Sequence, residues 1–258
     1  MDTQEIVIAL LTAASSLVAG LLGAGGDIIF VPLLLYGLPA ITGVGLAVHT
    51  VTALSLIGSL ASTGGGGLKH LRDGRIDREV TRLAWPPLAG AALVGGGLSR
   101  LVPSSVLLAA FAVVTTGAAV LLALPATERP PTDRRRTDRV ALALMAAGGL
   151  LCGAVGVGGG FLIIIILLHR LGMPAATARS TGLALTFFTA APAALGKTLS
   201  GQMIWGPVPG IVIAAVGGVW LGAHLSRFVP GAALRWALTV LVVVLSARVW
   251  LNVLGPAG

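Results

Sequence analysis

Gly20-Leu-Leu-Gly-Ala-Gly-Gly-Asp-Ile-Ile-Phe-Val-Pro32 is a glycine-rich break inside apolar sequence, and it carries an acid, Asp27. A second version, Gly153-Ala-Val-Gly-Val-Gly-Gly-Gly-Phe-Leu-Ile163, lies in the other half of the chain. Breaks at corresponding places in two apolar halves point to a transport site built from discontinuous membrane helices.

Working outward from these breaks, charge is scarce. From Ile6 to Leu68 the only charged residue is Asp27, and Leu101 to Thr127 and Val140 to Leu168 contain none. The 258-residue chain is 56% hydrophobic and 10% charged, whereas a soluble domain carries about 25% charged residues. Apolar runs of about 17–25 residues span a bilayer. The expected fold class is therefore an all-α polytopic membrane protein. A membrane β-barrel needs alternating apolar and polar residues, and Ile163-Ile-Ile-Ile-Leu-Leu168 does not alternate. Acids and no basic stretch open the chain, so the first apolar segment is expected to be retained and not cleaved.

The net charge of +8 is placed where a membrane protein places it. Lys69, Arg72, Arg75, Arg78 and Arg82 form one cluster, and Arg129, Arg134, Arg135, Arg136 and Arg139 another. Basic residues in short loops between apolar segments mark the cytoplasmic side, so the partners expected are the lipid bilayer and a small anion, and no nucleic acid. The single cysteine, Cys152, excludes an internal disulfide and reads as a small buried residue.

Apolar segments run at roughly 5–22, 28–37, 43–63, 80–99, 104–124, 139–155, 161–170, 176–198, 207–225 and 231–254. Residues 1–124 form a first repeat, 125–138 a hydrophilic cytoplasmic linker, and 139–258 a second repeat. Leu98-Ser-Arg-Leu-Val-Pro103 matches Leu225-Ser-Arg-Phe-Val-Pro230 at an offset of 127. Ala47-Val-His-Thr50 lies over Ala178-Arg-Ser-Thr181 at 131, and Gly23-Ala-Gly-Gly26 over Gly156-Val-Gly-Gly159 at 133. Such ordered matches argue for duplication, with eight to ten transmembrane segments that include two short, broken or re-entrant helices. Ten residues reach only about 15 Å, half of the hydrocarbon core. If each short segment crosses, the halves are inverted, five plus five; if each only dips in, they are parallel, four plus four. The inverted arrangement suits alternating access and is the expectation adopted.

The candidate substrate-binding residues are Gly23, Ala24, Gly25 and Gly26 of the first break and Gly156, Val157, Gly158, Gly159 and Gly160 of the second. Glycine lets backbone approach a ligand, and a helix starting at such a break offers unpaired N–H groups and a dipole to an anion. Close helix packing is the competing use of these glycines. Asp27 has two readings, a helix cap and a proton-coupling group. His49, Thr50, Ser180 and Thr181 follow the short segments and either line an oxyanion pathway or tie neighbouring helices together. Arg179 is held as an anion partner, while Lys197, near its segment's end, is expected to snorkel to an interface. His169 with Arg170, and His224 with Arg227, are expected at interfaces. No catalytic constellation, phosphate-cradling loop or metal-spaced cluster occurs, so neither enzymatic activity nor a cofactor is expected.

Gly23-Ala-Gly-Gly26 leading to Ile28-Ile-Phe-Val-Pro32, its partner Gly156-Val-Gly-Gly-Gly160, and the hydroxyl-bearing turns that follow resemble the sulfite exporter TauE/SafE family, also called the toluene-sulfonate uptake permease family. The resemblance covers essentially the whole chain. It implies a secondary transporter in the cytoplasmic (inner) membrane that exports a small sulfur-containing anion of the sulfite, sulfonate or sulfoacetate type. Alternating access of the two halves, coupled to protons through Asp27, is the mechanism expected. A membrane scaffold or assembly factor, or a carrier of another small anion, stands as the alternative.

Overall fold

The computed structural model describes residues 2–22, 27–72, 76–123, 139–226, 228, 243–244 and 247–251. Gly23 to Gly26, the linker, and most of the last apolar segment therefore lie outside the described residues. Within them the chain is helical, with no strand. The helices are α1 (Thr3–Leu22), α2 (Asp27–Pro32), a π-helical turn (Leu33–Gly37), α3 (Leu38–Thr42), α4 (Val48–Arg72) and α5 (Arg78–Leu98). A 3₁₀ turn (Ser99–Leu101), α6 (Ser104–Ala123), α7 (Arg139–Val155), α8 (Gly160–His169), α9 (Ala175–Leu199) and α10 (Val208–Leu225) follow.

Two boundaries differ from the sequence expectation. The first short segment does not stop at Gly37 but continues to Thr42. Pro39 has no N–H to donate; the wide turn ahead of it, closed by Leu38 N–H to Leu33 O, leaves room for its ring, and Pro39 then occupies the first turn of α3. Likewise, α4 begins after the left-handed Gly43 (φ 72°) and runs through Gly64–Gly67 to Arg72, not ending at Thr63. Each glycine weakens a helix by about 1 kcal/mol, yet the helix is continuous through all four.

The bundle is apolar outside, and among the described residues its largely apolar core also holds a set of hydroxyls. Leu10, Ile213, Trp220 and Leu199 are exposed, while Thr52, Ser55, Ser59, Thr63, Thr186 and Thr189 are buried. Those buried hydroxyls are satisfied by carbonyls of their own helices, as in Thr63 to Ser59 O (2.6 Å) and Thr189 to Leu185 O (2.9 Å). Such local bonds keep a hydroxyl paired without calling on water. An apolar skin around a hydroxyl-bearing interior is the arrangement that lipid as solvent selects.

Helix pairs come in reciprocal sets. α1 packs on α10 as α7 packs on α5, α4 touches α10 as α9 touches α5, and α2 meets α4 as α8 meets α9. The close approaches match residue by residue. A Cβ on Gly222 would strike Leu17 O, and one on Gly95 would strike Leu150 O; Gly20 faces Val219 O as Gly153 faces Ala92 O. Leu17 and Leu150, like Gly20 and Gly153, are separated by the offset of 133 found at the breaks, and Gly95 and Gly222 by the offset of 127. These glycines serve the packing role, letting backbones touch where any side chain would hold them apart. α4 and α9 run antiparallel: Lys197 near the end of α9 meets Thr52 near the start of α4, while Asp77, beyond the end of α4, bonds Thr181 near the start of α9.

Candidate functional site

The second break is where two helix ends face each other. α7 stops at Val155 because Gly156 takes φ 80°, and Gly156 N–H and Val157 N–H both fold back onto Cys152 O (2.9 and 3.0 Å). The chain then turns again at Gly159, φ 83°, and α8 begins at Gly160. Only glycine holds such dihedrals without strain. Gly156 also lies so close to the Thr52 backbone of α4 that a Cβ would overlap it, and Ser55 Oγ donates to Gly156 O. Cys152, buried as expected, has its Sγ 3.3 Å from where a Cβ on Gly159 would be.

The start of α8 carries no side-chain cap. The first intrahelical bond runs from Ile163 N–H to Gly159 O (2.9 Å), so the N–H groups of Gly160, Phe161 and Leu162 have no acceptor within the helix. Gly160 is buried against α9, where a Cβ would stand 2.5 Å from Thr186 Oγ1. This uncapped helix end lies beside the middle of α9 and not at a bundle surface. Backbone N–H groups and the positive end of a helix dipole can there receive an oxyanion.

The opposite end of the break is served by Lys197, and here the structure corrects the sequence reading. Lys197 does not snorkel; it is wholly buried. Its Nζ shares its three N–H groups among four oxygens, Ser99 Oγ (2.9 Å), Thr52 Oγ1 (3.1 Å), Ala154 O (3.1 Å) and Gln202 Oε1 (3.2 Å). The reason is the turn after α9. Gly201 takes φ 72° and brings Gln202 back so that Gln202 N–H reaches Lys197 O (3.0 Å) and Nε2 reaches Gly96 O (3.1 Å). That turn closes over the ammonium and denies it a route to the interface. Ala154 O belongs to the last turn of α7, so Lys197 neutralises the negative end of that helix. Among the described residues the ammonium meets neutral oxygens only and no carboxylate.

The other candidates are distributed unevenly around this core. His49 Nε2 lies 3.2 Å from Ser99 O and 3.1 Å from Val102 O, with Nδ1 3.5 Å from Ser104 Oγ. It ties the start of α4 to the α5–α6 turn and reaches the Lys197 cluster through Ser99. Thr50 is half-buried; its neighbour Thr52 is the α4 hydroxyl that meets the break. Ser180 is buried, and Thr181 accepts Asp77 N–H (3.1 Å), while Arg179 on the same turn of α9 is exposed. Those three therefore stand toward the opposite end of α9 from Lys197. The side chain of Asp27 lies outside the described residues. His169 and Arg170 are exposed, and His224 is exposed and stacked on Trp220 at 6.3 Å.

Lys197, Gln202, Ser99 and Thr52 were missed as a group. The one local signal was a lysine inside an otherwise uncharged run, from Thr181 to Gln202, with a glycine turn immediately after it.

No curated protein and no solved structure matches the chain. The model of the family described as sulfite exporter TauE/SafE matches residues 7–249. With an apolar helical bundle interrupted at a buried glycine turn, and this match over nearly its whole length, the chain belongs to the TauE/SafE sulfite exporter family, a family of membrane-embedded transporters.

Proposed function

We propose that the chain exports a small sulfur oxyanion of the sulfite, sulfonate or sulfoacetate type across the cytoplasmic membrane. The anion is received at the uncapped N-terminus of α8, with Gly23–Gly26 supplying the corresponding half of the site. The observation that carries this reading is the buried Lys197 ammonium, unpaired by any described acid and placed beside the break. An uncompensated charge in a water-poor interior costs several kcal/mol, and an anion entering the break supplies the missing charge. Lys197 also cancels the carbonyl end of α7, which would otherwise repel an anion at the start of α8. Residues that line the way to this site are His49 and Thr50 on one side and Arg179, Ser180 and Thr181 on the other.

Alternating access follows from two inverted halves, each crossing the membrane five times, joined by the cytoplasmic segment 125–138. The reciprocal helix packing supports a twofold relation between the halves. The antiparallel run of α4 against α9 favours inversion, because parallel repeats would align these equivalent helices. Asp27 is the acid proposed to link transport to protons.

Proteoliposomes loaded with radiolabelled sulfite test this directly. Efflux that rises with an imposed pH gradient is expected; gradient-independent efflux removes the coupling role of Asp27. Absence of flux for sulfite, sulfonates and sulfoacetate alike refutes the substrate class.

A further inference from the structure

Away from the break, a groove of about 440 Å³ opens on the outside of the bundle between α4, α5 and α9. One wall is a single face of α5, on which Arg78, Arg82 and Trp85 stand at positions i, i+4 and i+7. The other wall is α9, with Leu183 and Phe187, and Gly64 of α4 lines it as well. Gly64 leaves the slot open, since even a Cβ there would remain 4.0 Å from the Phe187 ring. Trp85 and Phe187 are 42% and 41% exposed, which makes this an apolar cleft facing out of the protein.

The cleft is polar at one end only. Arg78 opens α5, and the seven residues from it to Trp85 rise about 10 Å along the helix. The two guanidiniums are exposed, and among the described residues neither meets an acid. Asp77 is occupied as the N-cap of α5, accepting Glu79 N–H and Val80 N–H through Oδ1 (both 3.1 Å). Guanidinium forks fit a phosphodiester, and an aromatic and aliphatic slot leading away from them fits a hydrocarbon chain.

We infer that this groove is a binding site for an anionic phospholipid, with the phosphate on Arg78 and Arg82 and one acyl chain lying along Trp85, Leu183 and Phe187. Charge complementarity selects the anionic lipid over a zwitterionic one, because two exposed guanidiniums that meet no described acid attract a net negative headgroup and a choline would add a cation beside them. The inference rests on membrane embedding and on the groove, and is independent of what the break transports.

Fluorescence of the full chain in lipid nanodiscs tests it, using phosphatidylglycerol or phosphatidylcholine with brominated acyl chains. The Trp85 signal is isolated by subtracting the Trp85→Phe variant. Brominated phosphatidylglycerol is expected to quench Trp85 at about a tenfold lower mole fraction than brominated phosphatidylcholine. Arg78→Gln with Arg82→Gln, two exposed changes, abolishes that preference while leaving the circular dichroism spectrum unchanged. Native mass spectrometry is expected to show phosphatidylglycerol retained by the wild type and lost from the double variant. Equal quenching by both lipids, or a preference that survives the double substitution, overturns the proposal. So does protection of Trp85 from both lipids together with a dimer in light scattering, because a second copy of the chain would then fill the groove.

Discussion

Replacing Lys197 with methionine keeps a long unbranched side chain and removes its charge. The consequence for an anion at the start of α8 can be worked from the helix geometry. Thr186, which faces Gly160, and Lys197 are eleven residues apart on α9, or about 16 Å along the axis. The lysine side chain leans back toward the helix N-terminus, so its ammonium lies about 10 Å from the proposed anion. At an effective dielectric constant of about 20, unit charges that far apart attract by about 1.7 kcal/mol. That corresponds to roughly a 20-fold loss of affinity. Titration calorimetry with sulfite on purified Lys197→Met measures it, and initial efflux rates at sub-saturating sulfite should fall in proportion. The fold should survive, because the variant loses the ammonium's hydrogen bonds to neutral oxygens but also the cost of burying an uncompensated cation. Gln202→Leu, which removes a neutral partner and keeps the charge, should leave affinity close to wild type. A folded Lys197→Met protein that binds and exports sulfite as the wild type does would refute the electrostatic role and leave Lys197 as a cap for α7.

Further expectations separate packing glycines from site glycines. Gly222→Ala and Gly95→Ala force a Cβ into the backbone carbonyls of Leu17 and Leu150, and each should destabilise by about 1–3 kcal/mol; Gly217→Ala and Gly90→Ala, inside helices with open space around them, should hold or raise the unfolding temperature. Gly159→Ala and Gly172→Ala both place alanine at positive φ, at a cost of about 1–2 kcal/mol each; sulfite efflux should be lost in the first alone. Asp27→Asn should retain exchange of sulfite across the membrane while abolishing its acceleration by a pH gradient. Reporter fusions should place both termini outside and residues 125–138 inside, whereas termini on the inner side would favour four-plus-four parallel halves.

The second break was legible because it rests on local properties. Glycines at 156 and 159 are required by their own dihedrals, and α8 is short because a left-handed Gly172 (φ 59°) and Pro174 follow it. The offsets of 127 and 133, read from a few matching residues, reappear in the contacts of Gly20, Gly95, Gly153 and Gly222. Lys197 was not legible for the opposite reason. Its burial depends on Thr52 and Ser99, 145 and 98 residues away in sequence, and on a turn that returns Gln202 over the helix end. Position near a segment's end suggested exposure, and only the tertiary fold reverses that. His49 follows the same logic: its residue type allowed either a pathway or a tie between helices, and the partners that join it to the turn after α5 lie 50 to 55 residues away in sequence. The continuation of α4 through Gly64–Gly67 was hidden because a run of four glycines has the lowest helix propensity short of proline and reads as a turn.

A structure of the chain soaked with selenite, a heavier analogue of sulfite, bears most directly on the central claim. The account predicts an anomalous selenium peak at the start of α8, within hydrogen-bond reach of the Gly160 and Phe161 N–H groups and on the side of the break that faces Lys197. A selenium peak only at the exposed arginines, or an empty break at selenite concentrations that saturate binding in solution, would contradict it.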